Sequence, residues 1–218
     1  VYTLVFSQVM RARLPGVDSS FAYSIFLMAG LLPWGLFTET LSRYQTMFLE
    51  NANLIKKVSF PKLCLPLIAQ LNALVNFSII FALFVLFLVV SGNWPGTVVV
   101  AFVPLLLLQI FFTIGLGMLL GVLNVFFRDI GQLFPILVQF WFWLTPIIYA
   151  VDIVPAAFRG LLTINPLLPL FVGYQDIFLR GLWPDRYSLI PLFCISLVLN
   201  LLAFRLFRNR AGEMVDEL

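Results

Sequence analysis

Few residues in this chain could do chemistry, and their spacing narrows what that chemistry is. Histidine is absent from all 218 residues. That removes the side chain most often used as a general base and metal ligand near neutral pH. The two cysteines, Cys64 and Cys194, stand far apart in apolar sequence and read as packing residues, with no disulfide or metal site expected. No cofactor is expected on this chain. One carboxylate, Glu39, falls within an apolar stretch. Carboxylates at membrane depth serve as proton relays in pumps. Arg43 follows it at i+4, in the favourable acid-before-base order. Glu39 and Arg43 therefore read as an interfacial ion pair, and energy for any transport has to come from outside the chain.

Two further groups carry functional potential. The first is Glu50-Asn-Ala-Asn-Leu-Ile-Lys-Lys-Val-Ser-Phe-Pro-Lys62, a short basic, amphipathic segment between apolar blocks. Leu54, Ile55 and Val58 fall at helical spacing beside Lys56 and Lys57, and Pro61 ends the element. A short helix of this kind offers a docking surface to a soluble partner; a plain positive loop that fixes topology is the alternative. The second is the aromatic run Phe134, Phe140, Trp141, Phe142, Trp143 and Tyr149, with Gln132 and Gln139 among them. Interfacial aromatic belts sit at the ends of spans, whereas Phe140 to Trp143 fall near the middle of theirs. Aromatic faces with amides beside them suit sugar rings, which present C–H faces and hydroxyl edges. Successive helical residues turn by ~100°, so they cannot all face one path. Gln139 shares a face with Trp143, and Leu137 with Trp141; the Gln139–Trp143 face is favoured.

The elements that must position these residues are membrane spans. Hydrophobic residues make up 62% and charged residues 11% of the chain, with a mean hydropathy of +1.05. Soluble domains carry roughly 25% charged residues. Between Lys62 and Arg128 lie 65 residues without a charge, too long for one span of ~20 residues and enough for two. The expected fold is an all-α polytopic transmembrane bundle. Residues 1–10 read as the remnant of a first span, because ten residues cannot cross ~30 Å as a helix and there is no initiator Met. Further spans are expected over 21–41, 65–90, 97–125, 131–150 and 187–204, followed by a polar tail over 205–218. A cytoplasmic helix is expected over 49–58. Ser91-Gly-Asn-Trp-Pro-Gly96 is a turn signal between spans.

Residues 151–186 are broken by Pro155, Pro166, Pro169 and Pro184 into apolar pieces too short to span. Two short helices, about 154–163 and 167–181, dipping back into the membrane fit this pattern, because irregular backbone is tolerated there when protein buries it. Gly115, Gly117 and Gly121 make a smooth helix face for close packing, within the chain before a subunit interface. Gln70, Asn72, Asn76 and Gln109 are expected to hydrogen-bond neighbouring helices. Arg43, Lys56, Lys57, Lys62, Arg128, Arg205, Arg208 and Arg210 fall on one side, and Arg11, Arg13, Arg159, Arg180 and Arg186 on the other. The richer side is read as cytoplasmic. Nothing in the charge pattern marks a nucleic-acid partner.

In this setting the chain resembles the membrane permease of type 2 ATP-binding-cassette (ABC-2) exporters, in the branch that exports lipid-linked polysaccharides such as O-antigen, capsule or teichoic acid. The resemblance lies in Gly30-Leu-Leu-Pro-Trp34, Asn51-Ala-Asn-Leu-Ile-Lys-Lys-Val-Ser-Phe-Pro61, Leu65-Pro66, Asn124-Val-Phe-Phe-Arg-Asp129, Trp143-Leu-Thr-Pro146 with Ile148-Tyr149, and Asn165-Pro-Leu-Leu-Pro169. It implies a six-span bacterial inner-membrane permease that is not itself an enzyme and works as a homodimer around a channel. It also implies a separate nucleotide-binding subunit that holds ATP and Mg. By position, Glu50, Asn51, Asn53, Leu54, Ile55, Lys56 and Lys57 match the element coupled to that ATPase. Residues 151–186 match re-entrant extracytoplasmic helices. Gln139, Phe140, Trp141, Trp143 and Tyr149 are the expected channel residues. Two alternatives stand: an ABC-2 exporter of a drug or lipid, and a membrane-embedded lipid- or glycan-modifying enzyme using Asp152, Asp176 and Asp185.

Overall fold

The computed structural model describes residues 21–57 and 64–217. The expected span remnant at 1–10, and Val58, Pro61 and Lys62 of the basic segment, lie outside the described residues. Every regular element among the described residues is helical: α1 (Ala22–Glu50), α2 (Ala52–Lys57), α3 (Cys64–Val90), α4 (Phe102–Phe126), α5 (Asp129–Leu144), α6 (Ala156–Thr163), α7 (Leu168–Gln175), α8 (Ile190–Arg210) and α9 (Glu213–Glu217). A 3-10 turn over Gly96–Ala101 leads into α4, and a π-helical turn over Asp176–Arg180 continues α7. Gly181 ends that turn with φ +63°, the left-handed cap that glycine adopts without a Cβ penalty. Among the described residues, four helical stretches are long and apolar enough to cross a membrane: Ala22–Glu50, Cys64–Val90, Gly96–Phe126 and Ile190–Arg210. The fold is an all-α polytopic bundle.

Three boundaries differ from the sequence reading, each for a local reason. The helix expected over 21–41 runs on to Glu50. Tyr44, Met47 and Phe48 sit at i, i+3 and i+4 and are all buried, so packing carries α1 through a mixed sequence. The helix expected over 131–150 stops at Leu144. Thr145 precedes Pro146, which disfavours helical backbone at the residue before it, and the 16 residues of α5 span only ~24 Å. At the C-terminal end α8 begins at Ile190 and continues to Arg210, so the first part of the expected tail is helix. Met214 of α9 is fully buried.

The chain gathers into two compact units. One comprises the described residues up to 34 with 79–106 and 142–189. Its centre is aromatic: Phe81 stacks on Phe102 at 4.5 Å, and Phe178 packs edge-on against Phe84 at 5.3 Å and Phe102 at 5.5 Å. Leu170, Phe171, Tyr174 and Ile177 are fully buried there, so the α7–π segment is core and not surface loop.

The other unit comprises 35–78, 107–141 and 190–217. Its core joins Tyr44 and Phe48 of α1, Ile55 of α2, Leu65 of α3, Val122 of α4, Phe207 of α8 and Met214 of α9. A Cβ at Gly117 would lie 2.8 Å from the Tyr44 ring, and one at Gly121 only 2.5 Å from the Tyr44 carbonyl oxygen. Gly115 meets Asn200 in the same way, at 2.7 Å. The small-residue face of α4 is therefore filled by packing within the chain. Most of the spanning window of α1 is buried (61%), against 22% for α3 and for α8. The exposed sides of α3 and α8, with Leu71, Val75, Leu83, Leu197 and Leu201, are the apolar surfaces such a bundle presents to lipid. Cys194 is exposed on α8, so it is not the core packing residue that its apolar setting suggests.

Candidate functional site

Asn51 forms the joint between α1 and α2. Its Nδ2 donates to the Met47 carbonyl at 2.8 Å, and its own carbonyl accepts from the Leu54 and Ile55 amides at 3.0 and 3.1 Å. Glu50 is the last residue of α1, so the candidate coupling element is the α1 end, the Asn51 turn and α2. Leu54 is 49% exposed, with Asn53 and Lys56 exposed beside it; Ile55 is only 5% exposed and belongs to the core. The sequence pattern offers both Leu54 and Ile55 as docking anchors. The ~100° turn between neighbours separates them, and only Leu54 is available. The Lys57 side chain lies outside the described residues. Beside α2 opens a cavity of about 480 Å³ lined by Arg43, Glu50, Asn51, Leu54 and Asn72.

Glu39 accepts from Arg43 Nη2 at 2.8 Å and Nε at 3.0 Å, and from Asn76 Nδ2 of α3 at 2.6 Å. The carboxylate thus has a partner on each of two helices. Gln70 behaves differently: its amide nitrogen and oxygen are buried without a hydrogen-bond partner, contrary to the expectation that it bonds a neighbouring helix.

The aromatic residues of α5 divide by face. Trp141 stands edge-on to Phe37 at 5.6 Å and to Phe112 at 6.3 Å, which places it in packing. Gln139 is exposed, Phe140 is 65% exposed and Trp143 59% exposed. Tyr149 follows the helix; its hydroxyl donates to the Trp143 carbonyl at 2.8 Å, which fixes the turn after α5. The exposed residues of α5 thus include two amides, Gln132 and Gln139, and the aromatics Phe140 and Trp143 among the aliphatic Leu133, Ile136, Leu137 and Leu144, whereas the exposed face of α8 above Arg205 carries no amide.

Several residues singled out as sequence motifs are structural clamps. Asn165 Nδ2 donates to Thr145 Oγ1 at 2.9 Å and to the Leu144 carbonyl at 3.1 Å, and its Oδ1 accepts from the Leu167 amide at 3.1 Å. One side chain thus ends α5 and starts α7. Gln175 Nε2 donates to the Pro146 carbonyl at 2.7 Å. In the other unit Asn124 donates to the Gln45 carbonyl at 2.9 Å, and Gln45 to the Ile130 carbonyl at 3.1 Å.

One arrangement escaped the sequence reading. Arg180 pairs with Asp176 at 2.9 Å and reaches Asp152 at 3.9 Å. The i+4 spacing of Asp176 and Arg180 was the available signal; the approach of Asp152 from a distant turn was not. Burial lifts the Asp176 carboxyl above the ordinary aspartate value; Arg180 pulls it back by charge and hydrogen bond, and Asp152 adds to the rise. A cavity of about 350 Å³ lies against this network, lined also by Phe26, Gln175, Asp185 and Ser188. Asp152, Asp176 and Asp185, the candidates for an embedded enzyme, thus share one cavity with an arginine. No group of three or more metal-binding side chains occurs among the described residues.

The sequence pattern of the family described as ABC-2 type transporter matches residues 1–179. The chain belongs to the ABC-2 type transporter family. With four helices fit to span among the described residues, this ABC-2 chain is a multi-pass membrane protein. The chain is 32% identical over 218 residues to the O-antigen export system permease protein RfbA of Klebsiella pneumoniae, covering 99% of this chain and 82% of the relative. It is 31% identical to the protein of the same name from Myxococcus xanthus, covering 100% and 82%. The polysialic acid transport protein KpsM of Escherichia coli is 21% identical, covering 97% and 81%. All three are named as permease or transport proteins, in line with a transport subunit and not an enzyme.

Proposed function

We propose that the chain is the permease subunit of an ABC-2 exporter that moves a lipid-linked polysaccharide out across the bacterial inner membrane. The observation that carries the reading is the near full-length similarity to two O-antigen export permeases. ATP and Mg belong to a separate nucleotide-binding subunit, a reading supported by membership of the ABC-2 family, docked at Glu50, Asn53, Leu54 and Lys56. Two copies pair so that the amide-and-aromatic faces of α5 line the glycan path. That placement is supported by polarity, because amides are costly against lipid and tolerable against water, sugar or protein. The positive-inside bias puts the α2 end in the cytoplasm and residues 145–189 outside.

The test is reconstitution of the chain with its ATPase in proteoliposomes, with ATP-driven movement of a lipid-linked oligosaccharide as the readout. Movement of the oligosaccharide supports the reading. ATP-driven movement of a drug or a simple lipid, with the oligosaccharide left in place, replaces it with the other branch of ABC-2 exporters.

A further inference from the structure

We propose that α9 is a strut that holds α2 in its docking pose, with Met214 as the positioning residue. This rests on α2 as the surface that receives the ATPase, and it adds what keeps that surface in place.

α2 has six residues. Helices shorter than ~12–15 residues are marginal in water on their own, so packing has to hold this one. Its start is tied by Asn51, whose carbonyl accepts from the Leu54 and Ile55 amides. Beyond that start its hold is narrow. Asn53, Leu54 and Lys56 are exposed, and among its described side chains only Ile55 is buried. The pose of Leu54 therefore depends on what closes the core around Ile55.

α9 is placed to close it. The two short helices pack against each other. Met214 is fully buried and shares one core with Ile55, Phe48, Leu65 and Phe207. The approach of α9 is set from α8: Phe207 stacks on Phe48 at 5.9 Å, and Arg210 pairs with Glu213 across the turn between the two helices. Composition alone gives α9 no reason to fold back. It has five residues, three of them acidic, and Glu213 and Glu217 are exposed. A polar tail that served only solubility would leave Met214 in water as well. Methionine is long and unbranched, so it fills irregular gaps between packed elements. Shortening it opens space in the core that holds Ile55. The docked pose of α2 then becomes one of several, and the apparent affinity for the partner falls with the fraction of time that pose is populated.

The experiment uses the full chain with its ATPase in proteoliposomes. It reads affinity for the ATPase, lipid-linked oligosaccharide moved per ATP, and the thermal midpoint. Met214→Ala should bind the ATPase about tenfold more weakly, the factor for a docked pose populated a tenth of the time, and should move less oligosaccharide per ATP. Met214→Val leaves a smaller gap and should weaken binding about threefold on the same reasoning, which keeps the test open if the alanine protein does not fold. Met214→Leu conserves volume and should stay within about twofold of wild type. Leu88→Ala empties an equally buried site in the other compact unit; it should lower the midpoint and leave affinity and export per ATP unchanged. Wild-type affinity in the Met214→Ala and Met214→Val proteins, or a loss no greater than that of Leu88→Ala, overturns the strut while docking at α2 stands. A Leu54→Asp protein that binds the ATPase and exports as wild type does removes docking at α2, and the strut falls with it.

Discussion

Trp141 and Trp143 are two residues apart on α5, and their alanine variants should fail in different assays. Trp141 packs edge-on against Phe37 and Phe112. Two such pairs contribute about 1–3 kcal/mol in total, at ~0.5–1.5 each. Emptying a fully buried Trp site costs about 3–5 kcal/mol, and Trp141 is only half-buried, so we expect Trp141→Ala to cost about 2–4 kcal/mol. Among the described residues Trp143 has one ring neighbour, Phe142 at 5.6 Å, and it is mostly exposed. The Tyr149 hydroxyl bonds its carbonyl, which an alanine keeps. Trp143→Ala should therefore cost less than ~1 kcal/mol of stability.

Export should show the reverse pattern. Removing one aromatic–sugar interaction from the path costs about 0.5–1.5 kcal/mol, or a roughly 2- to 12-fold fall in rate. Weak interactions suit a conduit, because a polymer has to slide and not stick. The assays are thermal unfolding of the purified chain and glycan movement in proteoliposomes. At ~2–4 °C per kcal/mol for a chain of this size, Trp141→Ala should lower the midpoint by about 4 °C or more. Trp143→Ala should keep its midpoint and lose rate, and Trp143→Phe should change little in either. A Trp143→Ala protein that exports at the wild-type rate refutes the aromatic path. An unchanged midpoint for Trp141→Ala refutes the packing assignment.

Other expectations come from single side chains. Leu54→Asp should insert and fold normally yet abolish ATP-driven export, whereas Ile55→Asp should lower the yield of folded protein, since only Ile55 is in the core; equal behaviour of the two in a pull-down with the ATPase sinks the distinction. Gly121→Ala places a methyl 2.5 Å from the Tyr44 carbonyl and should cost about 1–3 kcal/mol by thermal unfolding, with Gly35→Ala, where nothing lies within 4 Å, as the silent control. In a background lacking Cys64 and Cys194, Leu170→Cys should resist a membrane-impermeant thiol reagent while Tyr187→Cys reacts quickly; rapid labelling of both places α7 at the surface.

What the sequence made legible is what depends on local pattern. Charge-free apolar runs located the long helices, and the prolines of 151–186 marked short pieces. The continuation of α1 to Glu50 was legible in the spacing of Tyr44, Met47 and Phe48, but polar neighbours masked it. Facing was harder. Leu54 and Ile55 are equally apolar, and only the rest of the core decides which one it takes. The same holds for Trp141 against Trp143, where Phe37 and Phe112 come from distant parts of the chain. The approach of Asp152 to Arg180 was out of reach for that reason, since sequence spacing does not record which turns meet. The residues behind the family resemblance were legible as a set, while their roles were not: Asn124 and Asn165 hold backbone ends together, a task that composition does not reveal.

How ATP use could act on the chain follows from what its interior lacks. Glu39, the carboxylate inside the α1 span (Glu50 stands at its very end), is held by Arg43 and Asn76, so it is poorly placed to carry protons. Coupling then has to be mechanical. In the proposed docking, Leu54 receives the partner and Ile55, its neighbour on the same turn, is locked in the core with Tyr44 and Met214. Tyr44 is in turn gripped by Gly117 and Gly121, which leave no space for a methyl. Cores packed to this density transmit displacement and do not absorb it. Asn51 adds a covalent-neighbour route, because its side chain ties the turn back to Met47. A push on α2 should therefore move the α1 end and α4 together, and the glycines of α4 serve that stiffness. Loosening this packing by Tyr44→Ala should then uncouple ATP hydrolysis from export, with ATPase binding retained. Loss of both activities in equal proportion would instead mean that Tyr44 only holds the fold.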